Sequence, residues 1–180
     1  MCIRDRHALY SGGVTYQGET AINLATTVQD LYPGATIETT GHSLGGGLAI
    51  LAASALSADS EIDVEGVVFG SLGIDEQTAD AYQVPWETSD HIDHFFVEGD
   101  LVADAPSWHL AISHSHTGLV YESNRYQPAR ALTYELSRPP EQSWSGRDAH
   151  RMENIFTTLQ HHHSELDCDC LLYTSPSPRD

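Results

Sequence analysis

One short motif, Gly41-His42-Ser43-Leu44-Gly45, constrains the fold of this chain more than any other feature. It fits the pattern G-x-S-x-G, and it lies between a predicted strand and a predicted helix rich in small residues. In that setting the motif predicts a sharp strand-to-helix turn with a serine at its tip. A chance match within a glycine-rich turn is the alternative interpretation.

The residue types of the motif have a physical reason. In so tight a turn, side chains two positions before and two positions after the serine would clash, so we expect Gly41 and Gly45 to be required. The turn aims the Ser43 hydroxyl out of the sheet, where it can act as a nucleophile. It also places the backbone N–H of Leu44 at the N-terminus of a helix, where it can stabilise an oxyanion.

Hydrophobic periodicity predicts alternating helices and strands around the motif. Residues 21–32 are predicted as an amphipathic helix, because one apolar stripe at helical spacing contains Ala21, Leu24, Ala25, Val28, Leu31 and Tyr32. Pro33-Gly34 is expected to end this helix, with Gly34 suited to a left-handed conformation. Two further helices are predicted at residues 48–56 and 152–159, and strands at residues 35–40, 64–70, 94–97, 119–121 and 131–136. The alternation predicts one α/β domain, a mostly parallel sheet with flanking helices.

Charge and cysteine content exclude several classes of protein. The chain has 26 acidic residues against 8 basic ones, all arginine, and a formal net charge of −18. Nucleic acids and anionic membrane surfaces select for basic patches, so neither is expected as a partner. No apolar run approaches the roughly 18 residues of a membrane span, so no integral membrane segment is expected. The three cysteines, Cys2, Cys168 and Cys170, lie at the ends and predict neither a disulfide framework nor a cysteine metal site.

Both ends of the chain differ in character from its middle. Residues 1–6 and about 170–180 have no helical or strand period, and the C-terminal stretch alternates Ser and Pro. We interpret both as non-native ends of the kind that translated sequencing-adapter read-through produces. For the C-terminal stretch, a native disordered tail is the alternative. Residues 7–167 are then the informative part, an N-terminally truncated fragment of an α/β domain. Its cellular compartment and oligomeric state stay open.

Several segments resemble the class 3, fungal-type lipase family of α/β-hydrolases over about residues 18–160. The segments that carry the resemblance are Thr40–Ala49, Val68–Gly73, Phe95–Val102, His116–Tyr121 and Asp148–Asn154. Leu101 stands where the family usually has a proline. The resemblance implies an α/β-hydrolase sheet and a serine ester hydrolase acting on lipid esters, triacylglycerol or phospholipid, at a lipid–water interface and without a cofactor. In the family a lid and a second oxyanion donor lie well before the elbow, so we expect the parent protein to be an enzyme and this chain alone to be inactive.

Three residues are the candidate catalytic groups: Ser43 as nucleophile, Asp100 as the acid and His150 as the general base. Their order in the chain, serine, acid, histidine, is the order typical of α/β-hydrolases. Asp100 follows three residues after a predicted strand, at the kind of strand end where catalytic groups gather. Three other acids, Glu98, Asp93 and Asp104, remain alternatives, with a solvated surface charge as the structural interpretation.

His150 has its own competitors for the role of general base. It lies 50 residues after Asp100 in a polar turn just before the last helix, and catalytic residues favour such loops on a rigid scaffold. His116 and His114 are the alternatives, but His116 directly precedes a predicted strand, where packing or a hydrogen bond would hold it.

Other functions compete with a lipid hydrolase. The histidines at 91, 94, 114, 116 and 161–163 match no zinc signature, so no metal site is expected. Within enzymes, a short-chain carboxylesterase or a thioesterase on soluble esters is the main alternative, and a peptidase is a more distant one. A non-catalytic binding domain with a hydrolase fold is the alternative from another class.

Overall fold

In the computed structural model, the described residues are 13–59, 61–71, 73–74, 76–85, 92–102, 120–122 and 132–162. The helices of this part are α1 (Tyr16–Leu31), α2 (Leu44–Leu56), α3 (Glu76–Tyr82), α4 (Gly146–Ala149) and α5 (Met152–His162). The strands are β1 (Ile37–His42), β2 (Val64–Phe69), β3 (Ile92–Val97), β4 (Val120–Glu122) and β5 (Leu132–Leu136). Within this part of the chain, no helix is both long and apolar enough to cross a membrane.

The strands form one sheet in the order β1-β2-β3-β5-β4. Strands β1, β2, β3 and β5 run parallel, and β4 pairs antiparallel with β5. Helices α1 and α2 pack against each other, α2 also packs on β1 and β2, and α5 packs on β3. The predicted α/β fold, a mostly parallel sheet with flanking helices, is confirmed at this level.

Successive side chains of the strands divide between two apolar clusters. In β2, Val64 and Val68 belong to the cluster that includes α2, whereas Val67 and Phe69 pack on the cluster that includes α5. Because side chains alternate between the two faces of a strand, these clusters lie on opposite faces of the sheet. The sheet is therefore the middle layer between helices, as parallel sheets require.

Helix α1 begins earlier than predicted and turns only part of the predicted stripe inward. The Thr15 side chain caps the helix by accepting from the N–H of Gly18. Ile22 and Ala25 pack on the core, whereas Leu24 is 64% exposed. Leu31 and Tyr32 are exposed too, whereas Ala21, Ala25 and Val28 of the same stripe are partly buried. The apolar residues of α1 cover more than one face, and its contact with α2 buries only one. Gly34, at φ +80°, adopts the expected left-handed conformation.

The boundaries near the motif also differ from the predicted ones. Strand β1 continues through His42, and α2 begins at Leu44 instead of residue 48. Three consecutive glycines, residues 45–47, predict a turn because glycine is a poor helix former, yet they form the first turn of α2. The short helices α3 and α4 were not predicted. The last helix and the strands at residues 132–136 and 120–122 lie close to their predicted places.

Candidate active site

Ser43 is the single residue between β1 and α2, and its backbone is unusual. It has φ 58° and ψ −124°, a conformation that residues with a Cβ rarely adopt. The neighbouring elements hold it there. Its N–H donates to the carbonyl of Phe69 at the end of β2, at 3.0 Å, and its own carbonyl accepts from Gly46 and Gly47 in α2. A non-glycine residue in such a conformation is typical of functional turns.

The two motif glycines do not have equal roles. A Cβ on Gly41 would collide with the backbone carbonyl of Gly45, so a glycine is required at position 41. A Cβ on Gly45 would meet no atom within 4 Å, so the clash expected at Gly45 is not found, because this position points away from the turn. The second close approach is instead at Gly46, where a Cβ would lie 2.7 Å from the Ser71 side chain.

The structure brings Ser43, His150 and Asp100 into one hydrogen-bonded row. His150 Nε2 lies 2.9 Å from Ser43 Oγ, and His150 Nδ1 lies 2.8 and 3.0 Å from the two carboxylate oxygens of Asp100. The His150 side chain is 18% exposed, and the Asp100 side chain is fully buried. Leu44, the first residue of α2, is next to this row, and N–H groups at a helix N-terminus have no intrahelical partner.

The short helix α4 positions His150. Ser145 and Asp148 form a capping box at its start, and His150 is the residue that follows its last turn. The polar turn expected here is therefore a capped helical turn. Because α5 begins two residues later, His150 stands between two helices with its ring directed at the elbow.

Asp100 follows β3, and its carboxylate has a second donor. Asp100 Oδ1 accepts from the N–H of Val102 at 2.7 Å as well as pairing with His150. Of the alternative acids, Glu98 is exposed and Asp93 lies near the start of β3, at the opposite end of the strand. Burial raises the pKa of the Asp93 carboxyl. Asp104 lies outside the described residues.

The alternative histidines fall into two groups. His91, His114 and His116 lie outside the described residues. His94 is buried on β3, and its Nε2 accepts from the N–H of Ser71 at 2.9 Å. Burial lowers the pKa of His94 from 6.5 to about 4, although the negative charge of Asp100 acts to raise it. This ring is therefore neutral at pH 7. In the part of the chain that the structure describes, no group of three or more His, Cys, Asp or Glu side chains could hold a metal ion.

Two residues beside the row were not predicted from the sequence. Gly70, at φ +48°, lies against the Asp100–His150 pair, and a Cβ there would approach Asp100 Oδ2 to 2.8 Å and His150 Nδ1 to 3.1 Å. Arg138 donates through Nε to the carbonyl of Glu98 and through Nη1 to the carbonyl of Trp144. It thus links the segment before Asp100 to the segment before His150. A glycine directly after a buried strand is a signal that could have indicated Gly70, whereas nothing local indicates Arg138.

These features define a class: an α/β protein with a serine, a histidine and an aspartate in hydrogen-bonded order beside a strand-to-helix turn. A comparison with protein-family models narrows the class. The model described as "Phospholipase-like: Tle-like phospholipase domain" matches residues 12–119, and the chain belongs to this family. The matched range contains Ser43 and Asp100 and ends before His150. The expected lipase-like family is thereby confirmed, and the class 3, fungal-type assignment stays a prediction.

Comparisons with individual proteins give weaker similarities than the family model. Among solved structures the chain is similar to one titled "Crystal structure of M37 lipase", with 21% sequence identity and a TM-score of 0.37. The match covers 47% of this chain and 27% of that chain, so this chain spans little more than a quarter of that lipase's length. A comparison with curated proteins found no match.

Proposed function

We propose that this chain carries the active site of a serine hydrolase that cleaves carboxyl esters of lipids, phospholipid or triacylglycerol, through an acyl-enzyme on Ser43. The observation that carries the proposal is the unbroken row from Ser43 Oγ through His150 to the buried Asp100 carboxylate, with heavy-atom distances of 2.8–3.0 Å. Such a row is what an activated serine needs. The elbow and the chain order support an α/β-hydrolase assignment of the sheet.

In the first half of the proposed reaction, Ser43 Oγ attacks the ester carbonyl carbon while His150 Nε2 takes the hydroxyl proton. Asp100 accepts the Nδ1–H hydrogen bond, which fixes the tautomer of His150 and stabilises the imidazolium. The N–H of Leu44 is one donor to the resulting oxyanion. When the tetrahedral intermediate collapses, the carbon–oxygen bond to the alcohol breaks, and His150 returns its proton to the departing alcohol.

In the second half, water replaces the alcohol. His150 removes a proton from the water as it attacks the acyl carbon, and the proton then passes to Ser43 Oγ as the bond to the acyl group breaks. The products are a carboxylic acid and the free serine. Protein groups and water carry every step, so the proposed mechanism uses no cofactor.

The lipid class of the substrate is supported by the family. The matching family model is described as phospholipase-like, which favours an acyl ester of a glycerolipid over a short soluble ester. The chain's net charge of −18 opposes binding to an anionic lipid surface, so we expect a zwitterionic or neutral lipid.

Acyl-enzyme trapping tests the proposal. The chain is incubated separately with phosphatidylcholine vesicles, a triacylglycerol emulsion and p-nitrophenyl acetate, quenched in acid, and weighed by intact-mass spectrometry. Each chain has to be acylated only once to be detected, so the trap can reveal a slow reaction even though the chain on its own is expected to show no measurable turnover. We expect a single fatty-acyl addition from a lipid substrate, mapped to Ser43 and absent in Ser43→Ala.

Two results would contradict the proposal in different ways. An adduct from p-nitrophenyl acetate alone would indicate an esterase for soluble esters instead of a lipid hydrolase. A folded chain that forms no adduct with any of the three substrates, and whose Ser43 also does not react with a fluorophosphonate, would favour a binding domain without catalytic activity.

A further inference from the structure

His42, the second residue of the motif, contacts His150 across 108 positions of the chain. Its Nε2 lies 2.8 Å from the backbone carbonyl oxygen of His150. A carbonyl oxygen can only accept, so His42 Nε2 carries the proton and donates it. The two imidazole rings also lie close together, with their centroids 4.8 Å apart and their planes inclined by 30°.

The carbonyl that His42 holds stands where the chain passes from α4 to α5. The next carbonyl, that of Arg151, accepts from Asn154 and Ile155 and belongs to the first turn of the following helix. The carbonyl of His150 accepts instead from His42, a residue of the sheet. The contact therefore ties the carbonyl of His150 to a rigid strand, while the N–H of His150 donates to the carbonyl of Gly146 in α4.

The location of His42 gives this contact its consequence. It is bonded covalently to Ser43, and it is paired with Phe69 of β2 in the parallel sheet. One short rigid unit thus carries both the hydroxyl that His150 must reach and the donor that holds the backbone of His150. A displacement of about 1 Å in such an arrangement can reduce a rate about 100-fold.

We propose that His42 is a positioning residue: its Nε2–H holds the His150 backbone so that the imidazole stays within hydrogen-bond distance of Ser43 Oγ. The kinetic part of this inference rests on the proposed function, whereas its geometric part does not. His42 itself touches no substrate atom in this account and transfers no proton.

Variants of His42 separate its donor from its ring. His42→Phe keeps an aromatic ring beside His150 and removes the donor, and His42→Met removes both and serves if the Phe variant does not fold. His42→Gln restores an N–H at a similar distance from the backbone. The matched control is Thr40→Val on the same strand, which removes the 2.8 Å hydrogen bond from Thr40 Oγ1 to the carbonyl of Val67 and leaves the donor of His42 in place.

Two measurements are made on each variant of the 180-residue chain. The first is the rate of Ser43 phosphonylation by a fluorophosphonate, resolved into a maximal rate and a half-saturating concentration. The second is the proton NMR resonance of His150 Nδ1–H, which a short hydrogen bond to a carboxylate shifts far downfield and which His150→Gln identifies by its loss. The NMR measurement does not require Ser43 to react, so the inference and the proposed function can fail separately.

We expect His42→Phe to lower the maximal rate about 10- to 100-fold with little change in the half-saturating concentration, and to broaden the Nδ1–H resonance. His42→Gln should recover both, and Thr40→Val should match the wild type. A His42→Phe variant with the wild-type rate and resonance would overturn the inference. A Gln variant as impaired as the Phe variant would overturn it too, because the donor would then not be the cause.

Discussion

At the scale of single residues, Ser43 combines the side chain of the proposed nucleophile with a strained backbone conformation. A non-glycine residue at φ 58° costs on the order of 1–3 kcal/mol, and the fold must offset that cost locally. It does so through the hydrogen bond from Ser43 N–H to Phe69 and the two that the Ser43 carbonyl accepts from α2. The hydroxyl is thereby held at the end of β1, where His150 can reach it.

The difference between the two motif glycines leads to a prediction on stability. Gly41→Ala must push the backbone of Gly45 aside, so we expect it to lower the free energy of unfolding by about 2 kcal/mol or more. Gly45→Ala meets open space within a helix, so we expect no loss and a gain of up to about 1 kcal/mol. Urea unfolding of the two variants measures both effects. Equal losses in the two variants would show that the elbow does not pack as described.

At the scale of elements, the strand, elbow and helix around Ser43 could be predicted because local signals agree there. The predicted strand at residues 35–40, the G-x-S-x-G motif and the small-residue helix all indicate the same arrangement. The start of α2 could not be predicted, because glycine propensity opposes a helix at residues 45–47, whereas the close approach of Ser71 leaves no room for a side chain at Gly46. The buried face of α1 was predicted only in part, since periodicity does not tell which of two apolar faces meets a neighbour.

The short helix α4 has a local signal in the sequence. Ser145 and Asp148 are spaced as in a capping box, and the structure forms that box. In the candidate site too, some residues could be predicted from the sequence and others could not. Chain order and resemblance indicated Ser43, Asp100 and His150, whereas the contacts of His42 and Arg138 join residues 108 and 40 positions apart and have no local pattern.

At the scale of the whole molecule, stability against acid depends in part on one buried histidine. Burial lowers the pKa of His94 from 6.5 to about 4, so the folded state keeps this ring neutral while the unfolded state protonates it below pH 6.5. His94 therefore supports folding fully above pH 6.5, and its contribution is lost as the pH falls towards 4. The shift corresponds to about 3 kcal/mol at most.

Replacing His94 tests this pH dependence. His94→Gln keeps an acceptor for the N–H of Ser71 and removes the titrating ring, so we expect its free energy of unfolding to fall less than that of the wild type between pH 7 and pH 4.5. Urea unfolding at the two pH values gives this fall for each protein. The contributions of the other titrating groups cancel when the two falls are subtracted. Equal falls in the two proteins would mean that His94 does not titrate abnormally in the folded state.

The central claim is that His150 activates Ser43, and the rate of phosphonate labelling tests it most directly. The chain is treated with a fluorophosphonate, and the modified residue is identified by intact mass and peptide mapping. We predict one phosphonyl group on Ser43 of the wild type, none on Ser43→Ala, and labelling of His150→Gln that is slower by a factor of about 10²–10⁴. A folded wild-type chain left unlabelled at Ser43, or a His150→Gln variant labelled as fast as the wild type, would contradict the account.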